Sequence, residues 1–192
     1  MNYLDIIAPV LSYCIGCITA GYYLVRWQKG FDVRTHGSGA TGATNVGRVS
    51  GWKGFVATTI FDVLKGTVVI LIAQELQVSE ISRDASFLAV IAGHIWPAQL
   101  QFRGGKGVNP TIGALFLLNP PIFSASIILY FLSFLFSRDY VINGIVVFAM
   151  TPFVALVLGL PLHTIITMSI MALMSLYAQR DHVKKYVIQQ KK

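Results

Sequence analysis

Seven apolar runs, at positions 4–25, 55–76, 87–100, 111–118, 122–136, 141–158 and 163–178, leave this chain of 192 residues little polar length with which to face water. Several breaks between them carry helix-stopping residues: Asn119-Pro120-Pro121, Ser137-Arg138-Asp139 and Gly159-Leu160-Pro161. About 20 apolar residues cross a bilayer as one helix, so the pattern predicts an all-α integral membrane protein of about seven transmembrane helices. Charged residues make up only 12% of the chain, against about 25% in a soluble domain. The fourth run is short, because residues 111–118 rise only about 12 Å as a helix and need their flanks to cross. Five or six spans with a re-entrant fourth segment is the alternative.

Charge placement predicts orientation. Basic residues gather at Arg26, Lys29, Arg34, Arg48 and Lys53, then at Arg103 and Lys106, then at Arg180, Lys184, Lys185, Lys191 and Lys192. By the positive-inside rule these regions are cytoplasmic. The expected arrangement is a single polytopic domain over 1–192 with the N-terminus outside and the C-terminus inside. Motif loops at about 26–54 and 101–110 and a basic tail at 179–192 then face the cytoplasm, while residues 74–84 lie outside with Arg83 as the exception. Asp5 stands where a signal peptide would carry basic residues, so the first run is read as a retained helix. Cys14 and Cys17 read as packing residues. The net charge of +7 lies in loops and tail, where it suits anionic headgroups and substrates and not nucleic acid.

Two polar segments interrupt this apolar chain. Residues 37–48 read GSGATGATNVGR, and residues 102–110 read FRGGKGVNP. Glycine backbones let successive N–H groups converge on an anion, and a neighbouring cation supplies charge. Gly104, Gly105, Lys106 and Gly107 are thus a candidate phosphate cradle, and Gly37, Gly39, Ser38, Thr44, Asn45 and Arg48 a second. The bland alternative is that both loops merely turn the chain. No Walker A pattern is present, because Gly107 follows Lys106 where Ser or Thr is required. Asp62 and Lys65 are spaced to pair on one face of the second span, as buried membrane charges must. His94 is read as a packing and hydrogen-bonding residue, with phosphate binding or general-base duty as alternatives.

Four motifs carry a resemblance to a known family. GSGATGATNVGR, DVLKG at 62–66, GHIWP at 93–97 and FRGGKGV at 102–108 resemble, in order and spacing, the bacterial acyl-phosphate:glycerol-3-phosphate acyltransferases, the PlsY family. The resemblance implies a seven-helix enzyme of the bacterial inner membrane with its active site on the cytoplasmic side. It implies transfer of a fatty acyl group from acyl phosphate to the 1-hydroxyl of sn-glycerol 3-phosphate. The products would be lysophosphatidic acid and phosphate, as the first step of phospholipid synthesis, with membrane lipids as neighbours. Neither acyl carrier protein nor coenzyme A is implied at this step, and no cofactor or metal is expected. The family's serine and arginine fall on Ser38 and Arg48, and its lysine on Lys106.

The family's third motif, His-Arg-x-Asn-Ile-x-Arg-Leu, is altered. Residues 179–186 read QRDHVKKY, which puts Gln179 at the histidine and His182 at the asparagine. Both are carried forward as catalytic candidates, since Gln179 can donate and His182 can bind an anion. An acyl phosphate is already activated, so positioning and charge neutralisation are expected to dominate, with a substrate phosphate taking the proton. A divergent paralogue that binds or transports a phosphorylated or lipid compound without catalysis is the alternative.

Overall fold

The computed structural model describes residues 2–190 and contains no strand among them. Lys191 and Lys192 of the expected basic tail lie outside the described residues. The chain divides into two compact units, Met1–Leu118 and Asn119–Lys192. Each of the seven apolar runs contains helix.

The first unit comprises α1 (Leu4–Cys17), α2 (Ala20–Lys29), α3 (Ala43–Glu75), α4 (Glu80–Ile95) and α5 (Val108–Leu118). Its polarity is inverted relative to a water-soluble domain. On α3, Phe61 and Leu64 are 43% and 53% exposed, whereas Asp62 and Lys65 are 1% and 5% exposed. Water would favour the reverse, so this exterior is matched to hydrocarbon.

Small residues let the helices cross closely. A Cβ on Gly16 would be driven into the Val90 carbonyl of α4, and one on Gly93 into the Tyr13 carbonyl of α1. Gly66 and Gly113 stand in the same relation at the α3–α5 crossing, against the carbonyls of Pro110 and Val63. Lipid tails supply no hydrophobic drive for helix association, so such close backbone packing holds membrane helices together.

Two expectations are corrected here. The run at 4–25 is not one helix: Ile18 and Thr19 are extended (ψ 94° and 95°) and separate α1 from α2. The carbonyls at the break are met by distant side chains. Lys65 Nζ donates to Gly16 O at 3.1 Å and to Ile18 O at 2.9 Å, and Gln99 Nε2 donates to Cys17 O at 2.5 Å. The first polar segment, in turn, is not all loop. Residues 43–50 are helical and meet the body of α3 at Gly51, whose φ of 75° and ψ of −173° break the helix. Cys17 is buried as expected, but Cys14 is exposed.

The second unit comprises α6 (Pro120–Ser133), α7 (Tyr140–Val157), α8 (Leu162–Ala178) and α9 (Arg180–Gln190). The Asn119 side chain accepts from the Ile122 N–H, and Pro120 opens α6, a preferred start for a helix. Asp139 caps α7 by accepting from the N–H groups of Val141 and Ile142.

By length and composition, three stretches among the described residues suffice to cross a membrane: Leu4–Lys29 taken together, Ala43–Glu75 and Tyr140–Val157. Leu162–Ala178 with Arg180–Ile188, bent by 61°, makes a fourth. Helix α5 has 11 residues, a rise of about 16 Å, which keeps the fourth run at half-span length.

Candidate functional site

The first polar segment is built around three pins. Asp32 caps the 3-10 turn Val33–Thr35 by accepting from the Arg34 N–H, and its carboxylate holds Arg34 Nη2 at 2.7 Å. The Arg34 hydrogen bond outweighs burial and holds the Asp32 carboxyl below its usual range; the same bond raises Arg34. Arg34 Nη1 then reaches across to the second loop, donating to Leu100 O at 2.6 Å and Arg103 O at 3.3 Å. A backbone bond completes the join, from Thr41 N–H to Gly104 O at 3.2 Å.

The third pin is Asn45, 1% exposed at the start of α3. Its Oδ1 accepts from the Ser38 N–H at 2.9 Å, and its Nδ2 donates to the carbonyls of Val33, His36 and Ala40 at 3.1, 3.0 and 2.9 Å. Expected as a phosphate ligand, Asn45 has its amide committed to the loop backbone instead. Gly37 (φ 60°) must be glycine, because a Cβ would collide with Asn45 Oδ1. Ser38, Thr44 and Arg48 are exposed. The Arg48 stem runs beside this turn, its Cδ 3.8 Å from where a Gly37 Cβ would stand. Gly39 is also left-handed, with φ 72°.

The second loop differs from the expected anion nest. The Gly104 N–H is bonded to Ile95 O at 3.0 Å and the Gly105 N–H to His94 O at 2.9 Å. Neither is aimed at a ligand; both fasten the loop to the end of α4. Lys106 is half-buried. Gly107 (φ 78°) opens α5, its carbonyl accepting from the Thr111 N–H at 3.1 Å and Thr111 Oγ1 at 2.7 Å. The first-turn N–H groups of α5 have no acceptor within the helix, and the helix dipole is positive there.

His94 is buried, at 2% exposure. Its Nδ1 lies 2.8 Å from Lys65 Nζ and 3.6 Å from Asp62 Oδ1. The expected Asp62–Lys65 pair is present at 2.9 Å. The His94 ring edge packs on Gly105, where any Cβ would strike Nε2.

The altered third segment lies in the second unit. Gln179, 3% exposed, ends α8 and donates through Nε2 to Ser175 Oγ at 3.0 Å. His182 Nε2 meets Asp139 Oδ2 at 2.9 Å, and Tyr186 OH stands 3.5 Å from Ser137 Oγ. Burial disfavours the Asp139 carboxylate, but bonds from the Ile142 N–H, His182 and the Val141 N–H outweigh it and hold its carboxyl below the usual range. Helix α9 is thereby fastened to the start of α7. Lys184 and Lys185 are exposed.

Sequence reasoning missed Arg34, Asp32, Thr41 and Gln99. The acid and base of Asp32-Val33-Arg34 were a local signal. Nothing local marked Thr41 or Gln99, whose partners lie far along the chain.

A family model described as glycerol-3-phosphate acyltransferase matches residues 6–189. Glycerol-3-phosphate acyltransferase 1 of Desulfitobacterium hafniense (strain Y51) is 34% identical over 182 residues, which cover 95% of this chain and 90% of that protein. The glycerol-3-phosphate acyltransferase of Clostridium acetobutylicum is 35% identical over 195 residues, covering 97% and 98%. A crystal structure of PlsY (YgiH), an integral membrane glycerol 3-phosphate acyltransferase in its glycerol 3-phosphate form, superposes with a TM-score of 0.87 at 28% identity, covering 96% of this chain and 92% of that one. Its lysophosphatidic acid form gives 0.83 at 26% identity with the same coverage. The chain is an all-helical membrane protein and belongs to the glycerol-3-phosphate acyltransferase family.

Proposed function

We propose that this protein transfers a fatty acyl group from acyl phosphate to the 1-hydroxyl of sn-glycerol 3-phosphate, releasing lysophosphatidic acid and inorganic phosphate as the first step of phospholipid synthesis. The observation that carries this reading is the join between the two motif loops: Thr41 N–H on Gly104 O and the Arg34 reach to Leu100 and Arg103. It holds the segment bearing Ser38 and Arg48 against the segment bearing Lys106. Two phosphorylated substrates need two cationic positions held at a fixed separation.

In the reaction, the glycerol 3-phosphate hydroxyl attacks the acyl carbonyl carbon and the bond from that carbon to the phosphate oxygen breaks. The hydroxyl proton passes to a substrate phosphate, whose monoester form has a second pKa near 6. Phosphate is a competent leaving group, so acyl carrier protein and coenzyme A are not needed. Lys106, with the positive end of α5, neutralises the acyl phosphate, and Arg48, Ser38 and Thr44 hold the acceptor. Ser38 is a ligand and not a nucleophile. Gly37, Gly39 and Asn45 shape the first segment; Gly104, Gly105, Gly107 and His94 shape the second. Gln179 and His182, the candidates of the third segment, hold their own unit together through Ser175 and Asp139.

In this reading the protein crosses the bacterial inner membrane with seven spans, N-terminus outside, and the motif loops and tail cytoplasmic. The inverted polarity of α3 and the clustering of Lys and Arg support this placement.

The test is phosphate release by purified protein supplied with palmitoyl phosphate and glycerol 3-phosphate. Release that requires the acceptor and is lost in Lys106→Ala and Arg48→Ala supports the reading. A trapped acyl-Ser38 adduct would overturn the role given to Ser38. Retained binding of glycerol 3-phosphate with no release would move the chain to the non-catalytic class.

A further inference from the structure

The ammonium of Lys65 sits where α1, α3 and α4 meet, beside the break that follows α1. Its three N–H bonds are met by Gly16 O at 3.1 Å, Ile18 O at 2.9 Å and His94 Nδ1 at 2.8 Å, and Asp62 Oδ1 stands 2.9 Å away as its counter-ion. An ammonium can only donate, so Nδ1 of His94 is an acceptor and the neutral ring carries its proton on Nε2. That edge faces Gly105, next to Lys106. The same histidine's carbonyl accepts from the Gly105 N–H, and Ile95 accepts from Gly104. The second loop therefore rests on His94 by both ring and backbone, and His94 rests on Lys65.

We propose that Lys65 is a positioning residue for the acyl-phosphate loop: it fixes the tautomer and orientation of His94, and His94 holds Gly104 and Gly105 so that Lys106 is presented to substrate. Lys65 touches no reacting atom in this scheme. By capping Gly16 and Ile18 it also ties the break between α1 and α2 to the same loop, so the broken first run is part of the site's support. The alternative for such a buried pair is fold stability alone, which would give no preference for the second loop. The inference rests on the function proposed above for the meaning of Lys106, but the coupling from Lys65 to the loop is independent of it.

The experiment uses the full chain in lipid nanodiscs. Removing Lys65 alone would strand a buried carboxylate, so the variant is Asp62→Asn combined with Lys65→Met. It is set beside His94→Asn, whose amide oxygen keeps an acceptor near Nδ1 but leaves Gly105 without the ring. Backbone exchange at Gly104 and Gly105 is expected to accelerate at least about tenfold in both variants, while the α7 amides change by less than about twofold. The kcat for phosphate release falls at least about tenfold, with KM for glycerol 3-phosphate moving less than about threefold. Nitrogen-15 spectra of the wild-type ring show the proton on Nε2. Unchanged exchange at Gly104 and Gly105, an equal rise throughout both units, or a proton on Nδ1 would each overturn the proposal. Should the wild type release no phosphate, the acyltransferase reading fails, and the exchange and ring spectra still decide the role of Lys65.

Discussion

The Thr41 N–H donates to the Gly104 carbonyl at 3.2 Å, and this one backbone bond joins the two motif segments through residues more than sixty positions apart in the chain. Thr41 is fully buried at the join. A backbone bond cannot be removed by side-chain substitution, so the join is best tested through Arg34, which crosses beside it.

Arg34→Ala is expected to loosen the join without touching substrate. It removes charged bonds to Leu100 O, Arg103 O and Asp32. Each such bond is worth about 1.5–3 kcal/mol when buried, and solvent screening at this partly exposed pair puts the loss at the low end. Phosphate release should fall roughly tenfold, with Tm lowered by a few degrees. Steady-state kinetics and a thermal melt in the same detergent check this; unchanged kinetics would show that the Thr41 bond suffices.

Gly105→Ala should be more damaging than its size suggests. The new methyl would strike His94 Nε2, and that ring cannot swing away while Nδ1 is held by Lys65 at 2.8 Å. Overpacking of this kind costs about 1–3 kcal/mol, and here the displaced element carries Lys106. Loss of phosphate release by more than about tenfold is expected in protein that still folds, as judged by circular dichroism and gel filtration. A fully active Gly105→Ala protein would mean that the loop is free of His94.

Asn45→Ala removes four bonds at once, from the carbonyls of Val33, His36 and Ala40 and from the Ser38 N–H. The carbonyls of Val33 and His36 keep bonds from the His36 and Gly39 N–H groups, so the cost falls on the Ser38 N–H and Ala40 O, about 1–3 kcal/mol for each that is left unbonded. Stability should fall and the Ser38 turn should lose its shape, whereas a simple phosphate ligand would affect binding alone. Calorimetric titration with glycerol 3-phosphate beside a melt separates the two, because the loop role lowers Tm in the absence of any ligand.

Some of this was legible in the residues and some was not. The apolar runs, the Asp62–Lys65 pair and the stop at Asn119-Pro120-Pro121 rest on local chemistry, namely side-chain polarity, the three-residue spacing on a helix and proline's missing donor. The break at Ile18 and Thr19 was hidden because the side chains that meet its carbonyls, Lys65 and Gln99, lie far along the chain. Glycines at 104 and 105 suggested an anion nest on backbone freedom alone, yet the same freedom serves to bring the loop onto His94 and Ile95. Asn45 looked like a ligand because sequence shows which groups can bond and not which partners take them first. The pairing of His182 with Asp139 was hidden for the same reason.

That pairing gives the altered third segment a pH dependence whose sign can be worked out. The Asp139 carboxyl is held below its usual range, so the pair stabilises the fold above the unfolded carboxylate pKa of about 3.9. The contribution is lost as pH falls through the lower folded value. Asp139→Asn keeps the cap on α7, since asparagine caps as well as aspartate, but carries no charge to titrate. The wild type should therefore melt higher than the variant at pH 5 to 6, and the gap should close as pH drops below about 4. Paired melts across that range check it. No gap at any pH would mean that the carboxylate contributes only as a cap, which asparagine replaces, and that its pairing with His182 adds nothing to stability.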